Sequence, residues 1–300
     1  MQGLLLLNKP GGITSFSAVS AVKRTACQKR VGHTGTLDPM ATGVLPVLLG
    51  RATALSSLML DSDKRYIAKI KLGITTDTED ITGNVLSENV VNITTEELDV
   101  ALSHFTGKIK QKPPMYSALK KDGVRLYDLA RKGEKVDIPE RDIEIFSIKM
   151  LSALDGDNCF VIDVHVSKGT YIRSLARDIG EYLGCGATLS ALERTYAAGF
   201  NIDACVNLDE LNPENIGEYI LNEEIAVKHL REVYITQNQA VRFCNGGQLD
   251  FERLKIENIS ENELFRVKCE DKFLGIGFAD FQNKRLGIKC IINFWGAEQE

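Results

Sequence analysis

The segment at residues 32–46, GHTGTLDPMATGVLP, restricts the backbone more strongly than any other part of this chain. Its three glycines allow sharp turns or close approach to a ligand, and Pro39 fixes its own φ. Proline also biases the residue before it, Asp38, towards an extended conformation. Such turn residues around one carboxylate predict a structured loop from which Asp38 projects, although an Asx-turn that satisfies nearby backbone N–H groups is the ordinary alternative.

Elsewhere, strand and helix patterns follow one another without internal repeats. Residues 4–7, 66–72 and 159–166 predict strands. Helices are predicted after Thr14 or Ser15, with Phe16, Val19 and Val22 on one side, after the capping box of Thr94 and Glu97, and after Gly169. Because hairpins are also present, the predicted fold class is α+β, with a mixed and largely antiparallel sheet.

The composition and the predicted secondary structure change near residue 228. Acidic residues peak around 209–214, and three short strands are predicted at 264–269, 273–278 and 286–292. With 300 residues, 44% of them hydrophobic, the chain is long enough for one large and one small domain. We therefore predict a catalytic domain at residues 1–222 and a compact β-domain at residues 228–300.

Charge is segregated along the chain, whose formal net charge is −5. Residues 1–60 contain six Lys or Arg against one acid, and residues 108–135 contain nine against three. Residues 203–224 contain seven acids and neither Lys nor Arg. A basic face can therefore bind phosphates although the whole molecule is acidic, while solvated surface charge is the alternative interpretation.

Several classes of protein are disfavoured by the composition. The chain has no run of 18 apolar residues and no signal peptide, so we expect a cytoplasmic protein without membrane association. The seven cysteines are scattered without a C-x-x-C pair, which argues against a disulfide framework or a zinc site. We expect no metal, no cofactor and no obligate protein partner, and hence a monomer.

Five segments together resemble the TruB family, the bacterial enzymes that convert uridine 55 of tRNA to pseudouridine. They occur in the family's order: LLNKPGGITS at 6–15, GHTGTLDPMATGVLP at 32–46, KRY at 64–66, QKPPMYSALK at 111–120 and KGTYIRSLARD at 168–178. The resemblance implies the pseudouridine synthase fold, with a cleft across the sheet, followed by a PUA-like RNA-binding domain. It also implies the T-arm of tRNA as the substrate and a target base flipped out of its stack.

The resemblance assigns four residues to the active site. Asp38 would be the nucleophile or base, since the isomerisation breaks a glycosidic bond and rejoins the base through carbon without oxidation. Arg173 would hold that carboxylate ionised by a bidentate fork. Tyr66 would stack beside the target base and Tyr171 would line the pocket. Taken alone, Tyr66 is typical of a core tyrosine and Arg173 of a helix-surface arginine.

Further positions match substrate contacts of the family. His33 would stack in the space left by the flipped nucleotide, and Leu192 would line the pocket, with plain core packing as its alternative. Glu193 stands where the family usually has a basic residue, which disfavours phosphate contact there. Candidates for phosphate contacts are Lys9, Lys64, Lys112, Lys120, Arg125 and Lys168.

Other classes of function use parts of the same pattern. An RNA-binding or RNA-chaperone module would need the basic face but not the four active-site residues together. A base-flipping glycosylase could use Asp38 equally well, but it would release free base. A pseudouridine synthase acting on another RNA is a further alternative.

Overall fold

The computed structural model describes residues 1–117, 119–121, 123–125, 136–254 and 256–296, with the backbone alone for residues 120, 121, 124 and 125. The described strands are β1 (Gly3–Lys9), β2 (Val31–His33), β3 (Thr42–Leu49), β4 (Lys64–Leu72), β5 (Ile74–Thr76), β6 (Val85–Glu88), β7 (Gly107–Gln111), β8 (Lys120–Lys121), β9 (Val124–Arg125), β10 (Arg141–Ser152), β11 (Cys159–Val166), β12 (Ala187–Ala197), β13 (Phe200–Asn201), β14 (Val206–Asn207), β15 (Ile220–Leu221), β16 (Arg231–Tyr234), β17 (Leu249–Asp250), β18 (Leu264–Cys269), β19 (Lys272–Asp280) and β20 (Arg285–Ile291).

The described α-helices are α1 (Ser15–Thr25), α2 (Ser56–Leu60), α3 (Thr95–His104), α4 (Ile172–Tyr182) and α5 (Gln237–Cys244). Short 3₁₀ segments connect these elements at Gly50–Leu55, Ile202–Ala204, Leu208–Glu210, Ile216–Tyr219, Glu223–Val227 and Phe251–Arg253. No helix among the described residues is long and apolar enough to cross a membrane.

The large sheet has the strand order β14-β1-β3-β12-β4-β11-β10-β7, with β2 added to β3, β13 to β12 and β15 to β1. The pairs β1–β14 and β3–β12 are parallel, and the other pairs of described strands in this sheet are antiparallel. The expected α+β class with a mixed, largely antiparallel sheet is confirmed.

Strand β1 is buried on both faces, which explains its run of four leucines. Leu5 and Leu7 belong to the main core, which also contains buried residues of α1, α3 and α4. Leu4 and Leu6 point to the opposite face, where they share a second cluster with residues of the C-terminal sheet, including Phe273, Ile276 and Ile292. The two sheets therefore pack together through apolar side chains.

Helix α1 begins where the sequence predicts, but one of its side chains points the other way. Thr14 caps the helix by accepting a hydrogen bond from the Ser17 N–H at 3.0 Å. The buried face carries Ser15, Ala18, Val19 and Val22, at the i, i+3, i+4, i+7 spacing of one helical stripe. Phe16 lies outside that stripe and is 76% exposed, so its predicted place on one side with Val19 and Val22 is wrong.

The C-terminal sheet has the order β16-β18-β19-β20-β17 and a core of its own, to which α5 contributes Phe243. Helix α5 is capped by Thr236 and Gln239, and the three strands predicted after residue 260 are present. A register shift at Ile276 and Gly277 marks a bulge, a common role for glycine inside a strand. A small β-domain of PUA-like character is confirmed at this end of the chain.

Candidate active site

Asp38 lies in the loop that joins β2 to β3, and the main chain of this loop is fixed on both sides of it. The Ser15 hydroxyl accepts from the Leu37 N–H at 2.9 Å and donates to the Leu37 carbonyl at 3.0 Å. The Gly12 N–H donates to the Pro39 carbonyl at 2.9 Å. These contacts hold the loop against the start of α1 and leave the Asp38 side chain free to project.

The Asp38 carboxylate meets Arg173 from α4 in a bidentate pair. Arg173 donates from Nε to Oδ2 at 2.8 Å and from Nη2 to Oδ1 at 3.0 Å. In the described part of the chain both oxygens accept from Arg173 and not from backbone N–H groups, so the Asx-turn alternative is not what forms. The Arg173 side chain is only 5% exposed, whereas that of Asp38 is 33% exposed. Arg173 thus buttresses the carboxylate from the interior, and the carboxylate faces the solvent-accessible side.

Opposing effects act on the protonation of Asp38. Burial of the carboxyl raises its pKa, and the Arg173 guanidinium counteracts this by favouring the ionised form. The nearby Asp80 carboxylate raises the pKa further. The net effect is a pKa above the ordinary aspartate value.

Arg173 has further partners that the sequence did not indicate. Nη1 donates to the Thr78 carbonyl at 3.1 Å, and Nη2 donates to the Tyr116 carbonyl at 3.0 Å. The buried Asp80 carboxylate lies 3.9 Å from Nε. Asp80 stands among several acids and threonines in a turn-rich segment, and nothing in its spacing distinguishes it from its neighbours.

Tyr171 precedes α4 and is held next to the pair by β7. The Gln111 side chain accepts from the Tyr171 N–H at 2.9 Å and donates to the Tyr171 carbonyl at 3.0 Å. Burial raises the pKa of the Tyr171 phenol, to which the Asp38 charge also contributes. The structure therefore brings Asp38, Arg173 and Tyr171 together.

Tyr66 and Leu192 lie on the neighbouring strands β4 and β12. Tyr66 is 7% exposed and Leu192 is 8% exposed, and both belong to the main core. This burial matches the plain core role that each residue type suggests. Their roles against a bound base are still predictions.

Arg194 is a residue that sequence reasoning missed. Its side chain is fully buried and forms no ion pair within the described residues. Its partners are two main-chain carbonyls on either side of Asp38. Nε donates to the Val44 carbonyl and Nη2 to the Gly35 carbonyl, both at 2.8 Å. Arg194 thereby connects both ends of the loop that carries Asp38. An arginine on an alternating strand gives no sequence signal for such burial.

His33 ends β2, at the start of the loop that carries Asp38. Its Nε2 lies 3.3 Å from the Thr36 hydroxyl, and the ring is half-buried. Burial, assisted by the charge of Arg194, lowers the pKa of His33 and so favours the neutral ring. A neutral ring suits stacking on a base better than contact with a phosphate.

The predicted phosphate contacts divide into different environments. Lys9 is fully buried and donates to the carbonyls of Pro10, Ile13 and Pro39 at 2.8, 2.7 and 3.3 Å, so its assignment to a phosphate is wrong. Lys9 has a structural role instead, because its ammonium group connects the loop after β1 to the loop that carries Asp38. Burial lowers its pKa to about 8.

The other lysines are closer to solvent. Lys64 is half-buried and donates to the carbonyls of Leu60 and Ser62, and burial lowers its pKa to about 8. Lys112 and Lys168 have side chains that are 53% and 58% exposed, paired with Asp137 and Asp61 respectively. The side chains of Lys120 and Arg125 lie outside the described part of the structure. Exposure thus leaves Lys112 and Lys168 as the better-placed candidates.

Comparison with known protein families adds an independent line of evidence. A family model described as TruB family pseudouridylate synthase (N terminal domain) matches residues 23–172. A second model, described as tRNA pseudouridylate synthase B C-terminal domain, matches residues 173–237. The first match contains Asp38, Tyr66 and Tyr171, and the second begins at Arg173.

Similar proteins extend over nearly the whole chain. The tRNA pseudouridine synthase B of Clostridium tetani is 43% identical, covering 97% of this chain and 99% of that protein. The protein of the same name from Alkaliphilus oremlandii is 40% identical, with 92% and 93% covered. Among solved structures, a Cbf5-Nop10-Gar1 complex matches with a TM-score of 0.75 and 25% identity over 99% of this chain and 87% of the other. An H/ACA RNP bound to a substrate RNA matches in fold, with a TM-score of 0.74, 24% identity and coverages of 98% and 86%.

Proposed function

Because this chain belongs to the TruB family of pseudouridylate synthases, we propose that it isomerises uridine to pseudouridine at position 55 in the T-loop of tRNA, with Asp38 as the nucleophile or base. The observation that carries the residue assignment is the bidentate pair between Asp38 and the buried Arg173. A fixed guanidinium behind a carboxylate keeps it charged and oriented without covering its accessible side.

The isomerisation requires little more from the protein than this carboxylate and a pocket that fits the base. The bond from N1 of uracil to C1′ of the ribose breaks, the base turns, and C5 bonds to C1′. The C5 proton is lost and N1 gains a proton, so the product has the mass of the substrate. Asp38 attacks or takes a proton, while Tyr66, Tyr171 and Leu192 hold the flipped base and His33 stacks in the space it leaves.

The rest of the chain would bind the tRNA around that pocket. Lys112 and Lys168 have the exposure that a phosphate contact needs, whereas Lys64 is half-buried. In the proposed division, residues 1–222 form the catalytic domain and residues 228–300 bind RNA away from the reacting base. We propose that one chain acts alone on the T-arm, in the cytoplasm where the tRNA is.

Position-specific mapping of pseudouridine tests this proposal. Purified protein is incubated with an unmodified tRNA transcript and with a matched transcript that carries cytidine at position 55. We expect pseudouridine at position 55 of the first RNA, no modification of the second, and no free uracil. Release of uracil would identify a glycosylase, RNA binding without product would identify a binding module, and modification at another position would contradict the substrate assignment.

A further inference from the structure

Arg173 is contacted by the turn between β5 and β6 as well as by the loop that carries Asp38. The Thr78 carbonyl of this turn accepts from Arg173 Nη1 at 3.1 Å, and the buried carboxylate of Asp80 lies 3.9 Å from Nε. Glu79 stands between these two residues. The position of Glu79 therefore decides whether the two groups on either side of it face Arg173.

The backbone of Glu79 is strained. Its φ of +63° lies in the left-handed region, which costs free energy for a residue with a side chain that lacks the local hydrogen bonding of Asn or Asp. Such a conformation persists where surrounding contacts enforce it. The Glu79 side chain makes some of the contacts that enforce it here, in addition to those of the main chain.

Helix α4 holds the Glu79 carboxylate through two residues that neighbour Arg173. The Ser174 hydroxyl donates to Oε2 at 2.7 Å, and Arg177 Nη1 donates to Oε1. Arg177 is itself fixed, because Nη2 donates to the Lys112 carbonyl at 3.0 Å and Nε donates to Asp178 at 2.9 Å. The side chains of Glu79 and Arg177 are 14% and 22% exposed, so solvent screens their attraction only in part.

We infer that Glu79 and Arg177 are positioning residues, whose ion pair holds the strained turn against α4 and thereby keeps Thr78 and Asp80 in place around Arg173. Arg173 and both donors to Glu79 belong to the same helix, so the turn and the guanidinium are aligned on one rigid element. This inference rests on the proposed function, because its test uses the rate of isomerisation.

The turn has further anchors that should keep it folded when the carboxylate is neutralised. The Glu79 carbonyl accepts from the Leu189 N–H at 3.1 Å, and the Leu189 carbonyl accepts from the Ile81 N–H at 2.9 Å. The expected consequence of losing the ion pair is a small displacement of the turn and not local unfolding. Displacements on the order of 1 Å in a catalytic constellation can lower rates by about 10²-fold.

The test compares Glu79→Gln with Glu181→Gln in single-turnover assays on unmodified tRNA. Glu181 is a matched control, since its carboxylate lies 4.0 Å from the same Arg177 but its side chain is 69% exposed and does not hold the turn. We expect Glu79→Gln to lower the rate constant by about 10- to 100-fold with tRNA affinity within about threefold, and Glu181→Gln to leave both unchanged. Equal rates for Glu79→Gln and the wild type would overturn the inference.

Two additional readouts separate positioning from a general loss of stability. A misaligned Arg173 should favour ionised Asp38 less, so the acid limb of the rate profile of Glu79→Gln should move to higher pH. Glu79→Gly should be more active than Glu79→Ala, because glycine adopts the left-handed conformation without strain. If the acid limb does not move and Glu79→Gly and Glu79→Ala have equal activity, the positioning role is contradicted. An inactive wild type would contradict the proposed function itself.

Discussion

Arg173 donates two hydrogen bonds to Asp38, of 2.8 and 3.0 Å. The Arg173 side chain is buried, whereas a third of the Asp38 side chain is exposed. The two residues are separated by 135 positions in sequence and come from a loop and a helix on the same side of the large sheet. The geometry fixes the direction of the carboxylate as well as its charge.

The bidentate geometry predicts that lysine cannot replace Arg173. Lysine keeps the charge but offers a point donor that cannot bond to both oxygens of Asp38 or reach the carbonyls of Thr78 and Tyr116 at once. We expect Arg173→Lys to lower the single-turnover rate by on the order of 10² or more, with tRNA affinity within about threefold. Weakened binding with an unchanged rate at saturation would make Arg173 a phosphate contact instead.

The ionisation of Asp38 predicts a pH dependence with a definite sign. Since burial raises the pKa of Asp38, the single-turnover rate should fall on the acid side at a pH above the ordinary aspartate range. Arg173 opposes that rise, so Arg173→Gln should move the acid limb to still higher pH. A limb that stays in place, or moves to lower pH, would show that Asp38 is not the titrating group.

The two environments found for the predicted phosphate contacts give opposite predictions for Lys9 and Lys168. Lys9→Met removes the ammonium donor that three carbonyls share and should lower the free energy of unfolding by about 2–3 kcal/mol, without changing the salt dependence of tRNA binding. Lys168→Met should leave stability unchanged and reduce the slope of log affinity against log salt by roughly 0.7–0.9. Urea unfolding and binding at several salt concentrations check both, and the reversed pattern would restore Lys9 as an RNA contact.

The sequence was a good guide to local structure because caps, turns and periodicity are encoded in neighbouring residues. The Thr94–Glu97 capping box, the start of α1 at Ser15 and three strands of the C-terminal sheet form as predicted. The pairing of Asp38 with Arg173 came from the resemblance to a family and not from periodicity. Composition alone would not have selected either residue.

The failures share a physical cause, which is dependence on groups far away in sequence. Phe16 points outward because Ser15 lies on the buried face of α1, where its hydroxyl bonds to Leu37 in the loop that carries Asp38. Lys9 is buried because carbonyls from two loops converge at the end of β1. Arg194 is likewise buried against Gly35 and Val44. Such sites arise from tertiary contacts and have no local signature.

The apolar contact between the two sheets predicts the outcome of removing the C-terminal part. A chain that ends after Asn222 would uncover Leu4, Leu6 and Leu48, which now share a buried cluster with Phe273 and other residues of the second sheet. Exposure of these side chains should cost on the order of 5 kcal/mol, so we expect a markedly lower melting temperature and aggregation. A truncated chain that melts like the full chain would show that the catalytic domain is stable by itself.

The role of Asp38 is tested most directly by single-turnover kinetics of Asp38→Asn on unmodified tRNA, with affinity measured in parallel. The amide keeps the shape of the side chain but loses its charge and basicity. We predict a rate lower by on the order of 10⁴ or more, equivalent to about 5.5 kcal/mol, with tRNA binding largely retained. A variant that binds tRNA and keeps a tenth of the wild-type rate would contradict the assignment of Asp38 as the catalytic residue.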